Sequence, residues 1–495
     1  MEIQHISPSF RIYNASAGSG KTFLLVQKYL ETLLGGLHGD GFHRMLALTF
    51  TNKAVFEMKF RILKQLHAFA SSEKILQNDP MAVNIMNSLN LDSAVLIKRS
   101  RHAMHAILHD YAAFDVITLD SFTHRVIRSF AKDLGLSYNF NVALQVDVML
   151  QETVDSLLNS VGEEEGITQI LENFTYDKME DEGTSWDIKQ SLFLAAKLLL
   201  HENDRQEIKA IAALSESQKK AQQQYIVHKN KALKQTLVKK GKKVIDQLNA
   251  NGLSAEDFSY GTLYNRFLKL SKGDFDGLDS GKFHQNLQEG KGIYPSKIDE
   301  DKKQLIEQLL PGLLSDYEEA LENYYVFLLT NDIKKQWVPL RLLARLAKQL
   351  EFKQKEENTV LLSTFNERIA KEILTHPASF IYERLGENYR YYFLDEFQDT
   401  SKLQWKNLIP LIENALVSQD ANGKSGELLL VGDPKQSIYR WRGGDVDQFV
   451  GLLGDDEPFP IKKEIVSLAT NYRSTTDIIN FNNALYAFLE GYLTY

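Results

Sequence analysis

Short apolar runs and longer stretches of helical spacing alternate over the first part of the chain. Phe10 to Asn14 reads as a short strand, followed by a glycine-containing loop and a helix from about Lys21 to Leu34. Met45 to Thr49 reads as a second strand, and apolar positions from Asn52 to Phe69 recur at helical spacing. Val116 to Leu119 reads as a third strand, leading into a helix through Arg128. Strands that alternate with helices predict an α/β fold with a parallel sheet. From about Leu134 to Pro377 helical periodicity dominates and apolar strand-like runs are scarce. Within it, Phe258 to Ser296 is rich in glycine and polar residues, which predicts a long loop or a set of turns. Helical spacing resumes from about Lys302 to Leu374. The α/β pattern then returns with apolar runs at Tyr391 to Leu394 and Glu427 to Val431, and a weaker one at Ile465 to Leu468.

The simplest organisation is one α/β domain, residues 1–134 and 378–475, interrupted by a mainly helical insertion at 135–377. An insertion of that size is too large for a loop and is expected to form a subdomain. No internal repeat is apparent.

Composition narrows the class. The 495 residues are 43% hydrophobic and 25% charged, as in ordinary globular proteins. There are no cysteines, which excludes disulfides, thiolate metal sites, iron–sulfur clusters and a cysteine nucleophile within this chain. The net charge of −8 argues against a uniformly basic nucleic-acid-binding protein, although it leaves room for local basic surfaces. One such stretch, Lys219 to Lys243, carries nine lysines and no acidic residue. It reads either as a solvated helical face or as an arm that meets duplex DNA or a partner through salt-sensitive phosphate contacts. The first residues lack a signal-peptide pattern. The longest apolar candidate, Leu192 to Leu200, is broken by Lys197, so no membrane span is expected and the expectation is a cytoplasmic soluble protein.

Three strings carry chemistry. Ala15-Ser16-Ala17-Gly18-Ser19-Gly20-Lys21-Thr22 lies between a strand and a helix. Its glycines let backbone N–H groups approach phosphate oxygens, and the helix N-terminus supplies positive dipole. Lys21 would reach the outer phosphates and the Thr22 hydroxyl would ligate Mg²⁺. Asp395-Glu396 ends an apolar run, where Asp395 would hold the metal through its water shell and Glu396 would activate water. The third string, Val431 to Asp445, sets Gln436, Tyr439, Trp441 and two arginines just beyond a strand. That combination suits a loop that senses phosphate at one end and stacks on bases at the other.

Together these motifs resemble the UvrD/Rep family of superfamily-one DNA helicases. The resemblance rests on ASAGSGKT, LALTFTNKAV, VITLDSF, FLDEFQDT, VGDPKQSIYRWRGGD and ATNYRS, in the family's order. It covers about half of the chain. Ala15 in place of the first glycine of the strict phosphate-loop pattern is typical of helicases. The run of the N-terminus into ASAGSGKT, the long insertion and the string DSFTHRVIRSFAKDLGLSYNFNVA look most like the RecB and AddA motor subunits of helicase–nuclease complexes.

The resemblance implies a RecA-like P-loop ATPase domain that uses ATP and Mg²⁺. It implies movement 3′-to-5′ on single-stranded DNA with duplex unwinding, in double-strand-break repair and recombination, and a partner subunit. It gives Lys21, Asp395, Glu396, Gln436 and Arg473 catalytic roles, with Gln436 and Arg473 at the γ-phosphate. Residues Ala15 to Thr22 would cradle the phosphates, Tyr472 would stack on adenine, and Thr22 and Asp395 would hold the metal. Phe50, Tyr439 and Trp441 match aromatics that face DNA, with Asn52, Arg442 and the pair Arg125 and Arg128 as further contacts. Gln4 is the nearest glutamine to the family's upstream adenine-reading motif, and Asp120 stands where many members carry histidine. The chain stops 22 residues after Arg473, before the family's last motifs. Residues 476–495 are therefore expected to begin a second motor domain as an amphipathic helix, and no nuclease domain is expected within the chain. Two rival readings are an ATP- and single-strand-binding module without turnover, and a P-loop ATPase of the SMC or ABC type. The latter lacks its signature loop and heptads here.

Overall fold

The computed structural model describes residues 9–36, 41–131, 136–137, 139–143, 145–180, 187–202, 204–375, 389–420 and 423–493. Gln4 lies outside them. The chain divides into two compact units. The first comprises Met1–Met149, Leu200–Asp204 and Phe352–Tyr495, and the second Leu150–Leu199 and Arg205–Glu351.

The first unit is built on a six-stranded parallel sheet. Its strands are β1 (Phe10–Ala15), β2 (Met45–Thr49), β3 (Val116–Thr118), β6 (Tyr391–Leu394), β7 (Glu427–Gly432) and β8 (Glu464–Leu468). Their spatial order is β3-β2-β6-β7-β1-β8, so the late strands β6 and β7 lie between β2 and β1. Two-residue strands β4 (Asn141–Val142) and β5 (Thr359–Val360) form a separate parallel ladder. The near-continuous apolar runs reflect burial on both faces, as parallel sheets require. Phe10, Ile12, Leu46, Leu48, Tyr392, Leu394, Leu428 and Leu430 belong to the core on one face. Tyr13, Ala15, Met45, Ala47, Phe393, Leu429 and Val431 belong to the core on the other. That alternation is the two-residue period of a strand. Helix α1 (Lys21–Gly35) follows β1 and α2 (Asn52–Ser71) follows β2, and both pack on the second face.

The strand expectations agree with the observed elements. The helix Thr476–Leu493 is present, and its Ile478, Phe481, Leu485 and Phe488 are exposed.

The second unit is helical, with a core of its own drawn from Leu237 to Tyr324. The expectation of a long loop or a set of turns from Phe258 to Ser296 is corrected in part: turns are present, but so are helices. That stretch holds helices Thr262–Lys272 and Phe283–Gln288. Leu263, Phe267 and Leu270 form a buried stripe at helical spacing, which the polar residues between them concealed. The lysine run lies on the helix Glu216–Ala250. Lys219 is buried and paired with Glu216 at 3.2 Å. Lys240 pairs with Asp316 at 3.3 Å and with Glu319, and Lys243 with Asp316 at 3.2 Å. Part of the run is therefore structural, while Lys220, Lys229, Lys231, Lys234, Lys239 and Lys242 are exposed. Among the described residues, no helix is long and apolar enough to cross a membrane.

Gly241 lets the helices Glu216–Ala250 and Thr262–Lys272 approach at backbone contact. A Cβ there would lie 2.8 Å from the Leu270 carbonyl carbon and 2.9 Å from the Phe267 oxygen. Gly241→Ala raises intrinsic helix propensity by about 1 kcal/mol, yet it should destabilise this unit by about 1–3 kcal/mol through overpacking. Gly312→Ala, with open space around its Cβ, should stabilise by up to about 1 kcal/mol. Urea melts that give both variants the same sign would refute this account of the helix contact.

Candidate active site and adjoining aromatic face

The expected functional strings emerge from the carboxyl ends of the parallel strands, the edge at which open α/β sheets place ligands. The loop from Ser16 to Gly20 leaves β1 and turns into α1. Gly18 has φ +78° and Gly20 φ +86°, a left-handed backbone that favours glycine. Gly18 is constrained a second time: a Cβ would lie 2.7 Å from Asn471 Oδ1 and 2.8 Å from Arg473 Cβ. The Tyr472 N–H donates to the Gly18 carbonyl at 2.8 Å. The segment after β8 thus pins the loop, and brings Tyr472 and Arg473 beside it. Tyr472 is 77% exposed, its ring next to Gly20. Asn471 Oδ1 accepts from the N–H groups of Arg473 and Ser474, a role that sequence reasoning did not assign.

Lys21, Glu396 and Gln436 meet although 375 and 415 positions separate Lys21 from the other two. The Lys21 ammonium donates to Glu396 Oε2 at 3.2 Å and to Gln436 Oε1 at 3.4 Å. Gln398, unassigned from sequence, links them: its Nε2 donates to Glu396 at 2.7 Å, and its Oε1 accepts the Asp433 N–H at 2.9 Å. Buried Asp433 accepts from the Gln436 side chain, so both ends of the Gln436 amide are held. Both residues lie inside the recognised strings, which is the only signal that could have marked them.

Glu396 has φ +52°, a non-glycine residue in the left-handed region. Strain of this kind persists where the surroundings over-determine the backbone. Here the Asp395 carboxylate accepts the Glu396 N–H at 3.0 Å, and the turn Phe397–Asp399 follows at once. Burial pushes the Asp395 carboxyl up to about 7, and the charge of Glu396 adds to the rise. The same two causes push Asp399 up to about 6.

These residues fit a magnesium–nucleoside triphosphate. Among the described residues, the buried Ser19 hydroxyl oxygen has no hydrogen-bond partner. Helix α1 begins without a side-chain cap and without an acidic residue in its first turn. Its first helical hydrogen bond is Leu24 N–H to the Gly20 carbonyl. The amides of Lys21, Thr22 and Phe23 therefore precede the helical ladder, as an anion-binding helix start requires. Thr22 and Asp395 are the oxygen donors suited to a hard cation.

A second cluster joins the loops after β2 and β7. The rings of Phe50 and Tyr439 lie 4.4 Å apart and those of Tyr439 and Trp441 6.2 Å apart. The Arg442 guanidinium lies 5.1 Å from the Phe50 ring centre and 5.9 Å from that of Trp441. Trp441 is 68% exposed, which separates it from ordinary core packing. Asn52 is exposed at the first position of α2. Asp120 receives Gln404 at 3.1 Å and Arg442 at 3.5 Å, so it orients the arginine of the cluster. Arg125 does not join this face. It pairs with buried Asp115 at 2.7 Å, which also accepts the Tyr389 hydroxyl at 2.6 Å.

The family model of the UvrD/REP helicase N-terminal domain matches residues 3–455. The chain is 25% identical to an ATP-dependent helicase/nuclease subunit of Listeria innocua, over 95% of this chain and 37% of that protein. It is likewise 25% identical to the Streptococcus suis protein of the same name, over 96% of this chain and 38% of that one. To that of Lactococcus lactis it is 22% identical, over 100% of this chain and 40% of that one. The chain thus spans 37–40% of the length of these curated relatives.

The raised Asp395 carboxyl has a signed consequence. The unfolded chain releases this proton near pH 4 and the folded chain near pH 7. The side chain therefore opposes folding increasingly as pH rises through that window, and by a constant amount above it. Asp395→Asn should stabilise the protein at pH 8 and lose the advantage towards pH 4. Three pKa units correspond to about 4 kcal/mol. Because Asp395 keeps partial solvent contact, a gain on the order of 1–3 kcal/mol is expected. Thermal melts in EDTA without nucleotide check this, and an equal effect at both pH values would contradict it.

Proposed function

The chain belongs to the UvrD/REP helicase N-terminal domain family, and we propose that it is the N-terminal motor region of an ATP-driven DNA helicase that acts in repair and recombination. The observation that carries the reading is the single hydrogen-bonded cluster of Lys21, Glu396 and Gln436 at the edge of the sheet. Three strings distant in sequence converge there on the groups that phosphoryl transfer to water needs. We read the sheet-based unit as a RecA-like P-loop domain and the helical unit as its insertion. The exposed lysines of the insertion supply sequence-independent phosphate contacts.

Bound Mg²⁺–ATP supplies the γ-phosphate and the charge of the metal. The protein's part is positioning and electrostatics. The loop amides and the start of α1 hold phosphate oxygens, with Thr22 and Asp395 as the metal's protein-side ligands. Glu396 orients the attacking water and receives its proton. Lys21 and Arg473 offset negative charge at the outer phosphate, and Tyr472 flanks the base. Gln436, fixed between Lys21 and Asp433, links phosphate occupancy to the loop that carries Tyr439 and Trp441. Those rings, with Phe50, stack on the bases of single-stranded DNA, while Asn52 and Arg442 meet its backbone. Stacking tolerates every sequence, as a translocating motor needs. A partner protein belongs to the same reading, by likeness to relatives named as helicase/nuclease subunits, and movement 3′-to-5′ belongs to it by the motif resemblance alone.

ATP hydrolysis with Mg²⁺, with and without single-stranded DNA, tests the proposal in the full-length protein and in this chain. DNA-stimulated turnover is expected from the full-length protein. Glu396→Gln should keep nucleotide binding and abolish that turnover, and Lys21→Ala should lose nucleotide binding. Turnover that persists in the Glu396→Gln protein would remove the catalytic assignment. Trp441→Ala should weaken single-strand affinity by about 1–3 kcal/mol. Unchanged affinity would remove Trp441 from the residues that meet DNA. If this chain binds Mg²⁺–nucleotide without turning it over, it acts alone as a binding module.

A further inference from the structure

Residues Leu200–Asp204 interrupt the helical unit in sequence but belong to the sheet-based unit. They deliver one carboxylate, Glu202, to the start of the helix Lys402–Val417. Glu202 Oε1 accepts from the Ser401 hydroxyl at 2.8 Å and from the Leu403 N–H at 2.8 Å. Ser401 is the N-cap of that helix and forms a capping box with Gln404. A carboxylate so placed accepts charge-assisted hydrogen bonds and faces the positive end of the helix dipole.

The joint matters because of what meets it. Thr400 and Ser401 follow directly on Glu396 to Asp399. On their other side they carry the end of the aromatic loop. Ser401 bridges Gly444, and the Asp445 N–H donates to the Thr400 carbonyl at 3.1 Å. Lys402 pairs with Asp445 at 2.7 Å. Gly443, at φ +91°, closes the turn Arg440–Arg442, and a Cβ on it would lie 3.5 Å from Ser401 Cβ and 3.7 Å from Glu202 Cβ. A displacement of Glu396 to Asp399 thus reaches Tyr439 to Arg442 through Ser401, provided that Ser401 is held to its helix. Glu202 holds it.

We propose that Glu202 is a positioning residue that couples the nucleotide site to the aromatic DNA-facing loop. The inference rests on the motor reading above, and it touches neither ligand. Coupling is a free energy shared by two binding sites, so it is measured by binding without turnover.

The experiment measures the affinity of the whole chain for a non-hydrolysable ATP analogue with Mg²⁺, with and without oligo-dT. In the unmodified chain the ratio of the two affinities is expected to be about 5–150-fold. Glu202→Ala should bring the ratio to within about twofold of unity, while each ligand alone binds within about threefold of the unmodified chain. Glu202→Gln still offers an oxygen to Ser401 and Leu403 and should retain most of the ratio. Circular dichroism shows whether the alanine variant folds. If it does not, Glu202→Asp, one methylene shorter, takes its place and should lose the ratio that Glu202→Gln keeps. An unchanged ratio in Glu202→Ala overturns the inference, as does an equal weakening of both ligands with the ratio kept, which is the mark of a merely structural role. No coupling in the unmodified chain overturns this inference, while the motor reading stands or falls with the turnover of the full-length protein.

Discussion

The site depends on the placement of one ammonium group. Lys21 stands at the first position of α1 and shares its protons between Glu396 and Gln436. Each partner is itself held, Glu396 by Gln398 and Gln436 by Asp433. A cation with two fixed acceptors has a fixed position, and that position sets the distance between the glycine loop after β1 and the carboxylate pair. The left-handed backbone of Glu396 is held by the Asp395 carboxylate on its N–H and by the turn that follows, and its side chain is held by Lys21 and Gln398.

The sheet makes the convergence possible. All six strands run parallel, so every loop that leaves a carboxyl end emerges on one edge. The strand order places β6 and β7 between β2 and β1, which sets the loops after all four side by side. Phe50 and Tyr439 meet for this reason, and so do Lys21 and Glu396. The same edge therefore carries a charged cluster and an aromatic one, joined by the short span from Glu396 to Ser401. Packing on both faces leaves that span little freedom to move without moving its neighbours.

The carboxylates of the first unit fall into distinct environments. Asp395 and Asp399 are desolvated and crowded by Glu396, so their charged forms are disfavoured. Asp115 and Asp120 have arginine partners, and their work is to orient Arg125 and Arg442. Environment rather than residue type sorts them into site and scaffold.

Much of this protein was legible in its sequence. The inner strands showed as apolar runs because both faces of the sheet are covered there, while the edge strand β8, largely exposed, gave a weaker run. The glycine loop from Ser16 to Gly20 and the Asp395-Glu396 pair could be singled out because phosphate chemistry needs particular residues at fixed short spacing. Roles that depend on contacts between distant segments were not legible: Gln398 as the link between two motifs, Asn471 beside Gly18, Asp120 under Arg442, and Glu202 at Ser401. The pairing of Arg125 with Asp115 had no sign in the sequence, and neither had the burial of Lys219 within the lysine run. The helix Thr262–Lys272 was hidden by the polar residues between its buried positions and by the glycine-rich stretch around it. Local spacing encodes what neighbours in sequence do together, so elements and motifs were determined there. Which charge meets which partner is decided only when strand order brings distant loops to one edge, because an ionic or hydrogen-bonded pair has no signature in either segment alone.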